Sequence, residues 1–215
     1  LNILDRDMFE MNDKASSSDT GGLAAVASPS IGLLQASNNF GIGDENCTVN
    51  SYRSAVRVLT DEVTSRSNII VVPGIKDPKV TDFVLDRLQE YGKAFYIMDI
   101  PTYDASSNRL FADSSNAPDV DKTAELFAGR AVDNNYAAAY FPDVRIVDEV
   151  NNRPVPVPSS IAALGAISFS DSVSYPWFAP AGFNRGSLGF VTNTQVKLNQ
   201  EDRDTLYEQR VNPIA

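Results

Sequence analysis

Three acidic residues stand where a sheet-based enzyme would place its chemistry. Asp99 and Asp104 follow one apolar run and Asp143 follows another. Ligands in open α/β sheets bind beyond the carboxyl ends of the strands. Three carboxylates on one rim would suit a divalent cation held by oxygen ligands. The same residue type also forms turns by bonding its own backbone, so both readings stand at this point. Asp82, Asp86 and Glu90 recur every four residues and share one helix face, which reads as a solvated face. Gly41-Ile42-Gly43 has the start of a dinucleotide-binding loop without its remaining glycine and reads as a turn. Cys47 is the single cysteine and has no basic neighbour, so it reads as an inert thiol.

The chain has no histidine. A Ser-His-Asp or Cys-His nucleophile therefore cannot be assembled from it. Neither a GxxxxGK[ST] phosphate loop nor a GxSxG elbow is present. With 18 Lys plus Arg against 28 Asp plus Glu, the net charge is -10. Affinity for nucleic acid comes mainly from cations neutralising phosphates, so direct nucleic-acid binding is not expected. An acidic chain is also a poor match for anionic membranes, and no apolar run is long enough to insert in one. The single cysteine fits a reducing compartment.

The elements that would position these residues begin at about residue 51. Residues 1–50 read as irregular or β-rich, with a linker-like Ser16–Gly22 and short apolar runs at Leu23–Val26 and Ile31–Leu34. They are expected to be the remnant of, or link to, a peripheral domain, with 51–215 as an α/β core domain. Tyr52, Ala55, Val56, Leu59 and Val63 fall on one helical face, with Asn50 or Ser51 as the cap. Ile69–Val72 is a strand closed by Pro73-Gly74. A helix opened by Pro78 and stopped by Gly92 buries Val80, Phe83, Val84, Leu88 and Tyr91. Ala94–Met98 is the next strand, and 102–120 is a polar loop. A third helix presents Ala124, Phe127, Ala128, Ala131 and Val132, with Asp121 at its start. Tyr136–Phe141 is a third strand. This alternation predicts a mostly parallel sheet with helices on both faces. Val144–Val147 and Pro154–Val157 flank an Asn151-Asn152 turn and predict a hairpin. Ser159-Ser160 would cap a helix to about Phe169, and Asn199 a last helix from Gln200 to Arg210. Asn212-Pro213-Ile214-Ala215 reads as a turn leading onward, and both ends look like cuts in a longer protein.

Between Tyr175 and Gly186 lie the only tryptophan, two prolines and two glycines. The prolines fix φ, the glycines permit positive φ, and Trp177 with Phe178 is expected to plug the core. The run Pro176-Trp177-Phe178-Ala179-Pro180-Ala181-Gly182, followed by Arg185-Gly186, closely resembles a signature of the tail sheath proteins of contractile-tailed phages. So do Pro156-Val157-Pro158-Ser159-Ser160 with Gly165 and Asp171, where Val157 interrupts the family's Pro-Pro pair. Arg203-Asp204-Thr205-Leu206-Tyr207 with Asn212-Pro213-Ile214 resembles the family's ending. The three motifs cover 154–214 in order.

The resemblance implies a subtilisin-like domain without the protease's catalytic residues, and no cofactor. It implies a structural subunit that stacks with copies of itself as hexameric rings in a helical sheath. Its partners would be the tail tube, baseplate and tail terminator proteins, and its place the virion tail, after assembly in the host cytoplasm. It further implies a C-terminal domain beyond Asn212-Pro213-Ile214. A sheath subunit of a bacterial contractile injection system is an alternative. A more distant one is an α/β metal- or nucleotide-binding enzyme using Asp99, Asp104 and Asp143.

Overall fold

A computed structural model describes residues 47–110, 116–148, 150–175 and 177–215. The expectations for 1–46, including the Gly41 turn and the two short strands, lie outside the described residues, as does Pro176. The described chain divides into two compact units, one of 47–68 with 77–94 and one of 69–76 with 95–215.

The first unit is built on two helices, α1 (Cys47–Leu59) and α2 (Pro78–Tyr91). Asp77 caps α2 by accepting from the Lys79 N–H. Pro78 occupies the first turn, where its missing N–H costs nothing, and Gly92 ends the helix at φ 64. Val80, Val84, Leu88 and Tyr91 are buried as predicted, joined by Leu85, while Phe83 is half-buried. Both Arg53 and Arg57 lie over the Phe83 ring, at 5.4 and 5.2 Å. The Arg53 Nε and Nη2 donate to the Lys79 carbonyl at 3.0 and 2.8 Å, tying the two helices together. Along α1 the expectation needs correction. The helix already includes Cys47, so Asn50 and Ser51 lie inside it rather than capping it. Of its side chains from Val49 on, Val49 and Val56 are buried, while Leu59 is exposed and Val63 lies beyond it, 90% exposed. The helix ends at Leu59, and its last turn is closed by Thr60, whose N–H and Oγ both donate to the Val56 carbonyl.

The second unit is a mixed α/β body around a four-stranded sheet in the order β1 (Ile69–Val71), β2 (Phe95–Asp99), β5 (Ala137–Phe141), β9 (Val211–Pro213), all parallel. Strand β2 is central, and its Tyr96, Ile97 and Met98 are no more than 2% exposed. A run apolar at every position needs cover on both faces, which a central parallel strand receives. Strand β9 was not foreseen: Asn212 and Pro213, read as a turn, pair instead with Tyr140 and Phe141. Nor is 102–120 simply a loop, since β3 (Thr102–Tyr103) and β4 (Arg109–Leu110) pair across it, antiparallel. Helix α3 (Val120–Ala128) is capped by Asp119, one turn short of the predicted face, because Ala131 turns the chain at φ 50.

The predicted hairpin forms from β6 (Val144–Asp148) and β7 (Arg153–Val157), with Asn152 at φ 48. β8 (Asn193–Thr194), which the sequence did not suggest, pairs on the far side of β6. Pro154 and Pro156 lie on β7, an edge strand, where a residue without an N–H is tolerated. Helix α4 (Ser159–Val173) packs on β2 and β5. Helix α5 (Gln200–Glu208) starts with a reciprocal Asn199–Asp202 capping box and packs on α3 and β9.

Candidate functional site

Asp99 ends β2 at the rim of the parallel sheet and is 1% exposed. Its Oδ1 accepts from the Ser159 hydroxyl and from the Ser160 N–H, both at 2.7 Å. Its Oδ2 accepts from the Ser160 hydroxyl at 2.7 Å and the Gly74 N–H at 2.9 Å. A carboxylate offers about four lone-pair sites. All four carry protein donors, so Asp99 has none left for a metal ion or a substrate proton. Ser159 and Ser160 are themselves at most 1% exposed.

These contacts also correct the capping of α4. Its N-cap position is Pro158, which has no side-chain cap, and the two serines sit inside the first turn. Asp99 takes the Ser160 N–H, and the Asp143 Oδ1 takes the Ser159 N–H at 3.3 Å. Two strand-end carboxylates thus cap the helix from a distance, where its N-terminal dipole favours negative charge. Asp143 is further bound by the Lys76 Nζ at 2.6 Å, with the two side chains 13% and 19% exposed (Lys76 first).

The third acidic residue is not part of this arrangement. Asp104 organises its own turn, its Oδ1 accepting from the Ser106 and Asn108 N–H groups at 2.9 and 2.8 Å. Its Oδ2 accepts from the Asn108 and Asn116 side chains. The Asn108 backbone bond foremost holds its carboxyl below the usual range; burial, the next-largest effect, opposes it, and the Asn108 and Asn116 side-chain amides and the Ser106 N–H add to the lowering. Among the described residues, no three His, Cys, Asp or Glu side chains are grouped to hold a metal. On the acidic face of α2, Asp86 and Glu90 are exposed, and Arg87 pairs with Glu90.

The proline–glycine corner is built differently from its expectation. Trp177 does not plug the core: it is 76% exposed and stacks flat on Tyr175, with ring centroids 4.8 Å apart and planes 2° apart. Phe178 is also exposed, and the Arg185 guanidinium lies 4.9 Å from its ring centroid. The large side chains that are buried in this unit are Tyr96, Phe141, Ile97 and Leu206 instead. What is tight in the corner is its backbone. A Cβ on Gly186 would come within 2.9 Å of the Pro180 carbonyl oxygen, and Gly182 sits at φ 79. Gly165 admits the Phe190 ring against α4, where an added Cβ would lie 3.0 Å from it.

Of the other motif residues, Pro156 is exposed on β7 and Asp171 is exposed near the end of α4. In α5, Leu206 is fully buried, whereas Tyr207 is 78% exposed. Arg203 binds back to the Asn199 carbonyl and the Gln200 side chain. The Asn212 side-chain amide donates to the Ala139 carbonyl at 3.1 Å, and Pro213 pairs with Phe141. Lys76 was not singled out from sequence, and the pairing of Asp99 with a serine 61 positions later carried no local signal.

No family model matches the chain. An 86-residue stretch, 39% of the chain, is 41% identical to the tail sheath protein of Vibrio phage KVP40. A stretch of 87 residues, 40% of the chain, is 37% identical to the tail sheath protein of Enterobacteria phage T4. The matched stretch spans 12% of the length of each of these relatives. Over that stretch the chain is homologous to phage tail sheath proteins.

Proposed function

We propose that this chain is part of a structural subunit of a contractile phage tail sheath and not an enzyme. The subunit polymerises around the tail tube and contracts to drive the tube through the host envelope. The observation that carries this reading is the 41% identity over 86 residues to a tail sheath protein. The sheet rim supports it. There Asp99 is saturated by Gly74, Ser159 and Ser160, and Asp143 is held by Lys76 and Ser159, so the usual location of α/β chemistry is filled with structural bonds.

On this reading the subunit sits in the virion tail, stacked as hexameric rings in a helical sheath. It meets the tube along its length and the baseplate and terminator proteins at the ends. Helices on both faces of the parallel sheet, in a subtilisin-like arrangement, belong to the same proposal. So does a division into a peripheral segment at 1–50 and a core at 51–215. Four of the motif residues then act as internal bracing: Ser159 ties helix to sheet, Gly165 and Gly186 permit close approach, and Asn212 bonds β9 to β5. Rigid bodies of this kind suit a machine that switches between two packings, because close-packed interiors resist continuous deformation. The work comes from relaxation of a metastable assembly.

Electron microscopy of the intact gene product, with and without tail tubes, tests the reading. Hollow cylinders with ring repeats are the expected result. A product that turns over a substrate and forms no cylinder overturns it.

A further inference from the structure

Two features of the second unit complement each other without touching. The first is the exposed aromatic corner. Tyr175, Trp177, Phe178 and Phe183 are 63, 76, 44 and 97% exposed. Phe183 shares a surface depression with Val173 and Arg185, and Arg185 in turn covers Phe178, so the patch is continuous. Contiguous apolar patches of this kind mark interaction sites. The second feature is a hollow of about 540 Å3 against β5. Its floor is Met98, Phe127, Ala137 and Ala139, and its rim carries Asp133 and Glu208. It exists because β5 offers only methyl groups there and because the chain turns away after α3 and after α5, at Ala131 (φ 50) and Arg210 (φ 61). Its size falls within the roughly 300–1,000 Å3 of sites that enclose small ligands, so an aromatic ring fits.

We propose that the aromatic corner of one copy seats in the β5 hollow of a second copy, a head-to-tail contact between two different surfaces of the same chain. This rests on the reading of the chain as a self-assembling subunit and names the surfaces involved. Charge favours it: the rim holds two carboxylates against Arg210, which pairs with Asp133 at 3.2 Å, and the incoming patch brings Arg185. Area favours it as a weak contact. Aromatic side chains bury roughly 150–250 Å2 each, so one ring seated in the hollow buries on the order of 200 Å2 and its neighbours add only what touches the rim. That is well below the roughly 800 Å2 per partner of a standard interface. Symmetry is the reason to pair knob with hollow rather than knob with knob. A self-complementary contact closes a dimer, whereas a head-to-tail contact propagates into rings or helices.

The test uses two surface variants of the chain, Phe183→Asp on the corner and Ala128→Arg at the exposed mouth of the hollow, each checked for folding by circular dichroism. Sedimentation is followed up to about 1 mM, the range of a contact worth about 4 kcal/mol. The parent is expected to associate into a growing series. Each variant alone is expected to associate at least about tenfold more weakly, as for loss of an interface anchor. Mixed one to one, the variants are expected to regain dimers and nothing larger, because one intact corner then meets one intact hollow.

A parent that stays monomeric throughout overturns the proposal. So does a hollow variant that associates like the parent, or a mixture that regains nothing. If the intact gene product still builds cylinders in any of these cases, the sheath reading stands and only this contact falls.

Discussion

Replacing Asp99 by asparagine changes one oxygen to an NH2 group and little else in shape. Each oxygen now faces one hydroxyl and one backbone N–H. A hydroxyl can rotate to accept from the new amide, but a backbone N–H cannot. Whichever way the asparagine is oriented, either the Gly74 or the Ser160 N–H loses its acceptor and meets another donor. A buried donor left unsatisfied costs about 1–3 kcal/mol. Loss of negative charge at the start of α4 removes up to about 2 kcal/mol more. Asp99→Asn should therefore cost about 1–5 kcal/mol. At about 2–4 °C per kcal/mol for a chain of this size, Tm should fall by roughly 2–20 °C. Far-UV circular dichroism is the proper readout, since the exposed Trp177 is a poor reporter of the core. Ser160→Ala, which removes only one hydroxyl donor to the carboxylate, is the internal control and should cost about 1.5–3 kcal/mol. An Asp99→Asn protein as stable as the parent would refute the view that this carboxylate is saturated by fixed donors.

Trp177→Ala should shift Tm by only a few degrees, since its stacking on Tyr175 contributes about 0.5–1.5 kcal/mol and the ring fills no interior space; a loss above about 3 kcal/mol would restore a core role. The Asp104 turn should depend on acid. Its folded carboxyl titrates below its unfolded value, so the turn's extra stability is complete above the unfolded value, near pH 4, and is lost as pH falls through the lower folded value. Hydrogen exchange at the Ser106 and Asn108 amides should accelerate over that window, and a flat profile would contradict it.

Punctuation carried most of the fold that was legible in the sequence. Pro73-Gly74, Pro78 and Gly92 bounded β1 and α2, and Asn152 marked the turn of the hairpin, because these residue types act through local backbone geometry. The three strands β1, β2 and β5 were visible as apolar runs. Strand β9 was not, since Val-Asn-Pro has neither the length nor the alternation of a strand and is held by long-range pairing with β5. At α1 the apolar spacing was genuine, but Leu59 and Val63 remain exposed, so periodicity alone misjudged the buried face. For the rim, Asp99 and the Ser159-Ser160 pair were each noticed and never joined, because residues 60 positions apart leave no spacing rule to connect them. Trp177 was misplaced for a related reason: size and hydrophobicity say that a ring prefers cover, but not whether its own unit supplies it.

The prolines on the two sheet margins limit how copies of this chain can meet. A strand end-on to solvent normally invites a neighbour to extend the ladder, the step that starts fibrils. On β7, Pro154 and Pro156 occupy alternate positions, so with Arg153, Val155 and Val157 donating inward the outer row has carbonyls and no donors. On β9 the Ile214 N–H bonds inward to the Phe141 carbonyl at 2.7 Å, which turns Pro213, of opposite parity, outward. Each margin therefore lacks a donor that a neighbouring backbone would need, which weakens ladder extension there. Contacts at these edges then lean on side chains, and such contacts can let go and re-form elsewhere without unravelling the sheet that carries them.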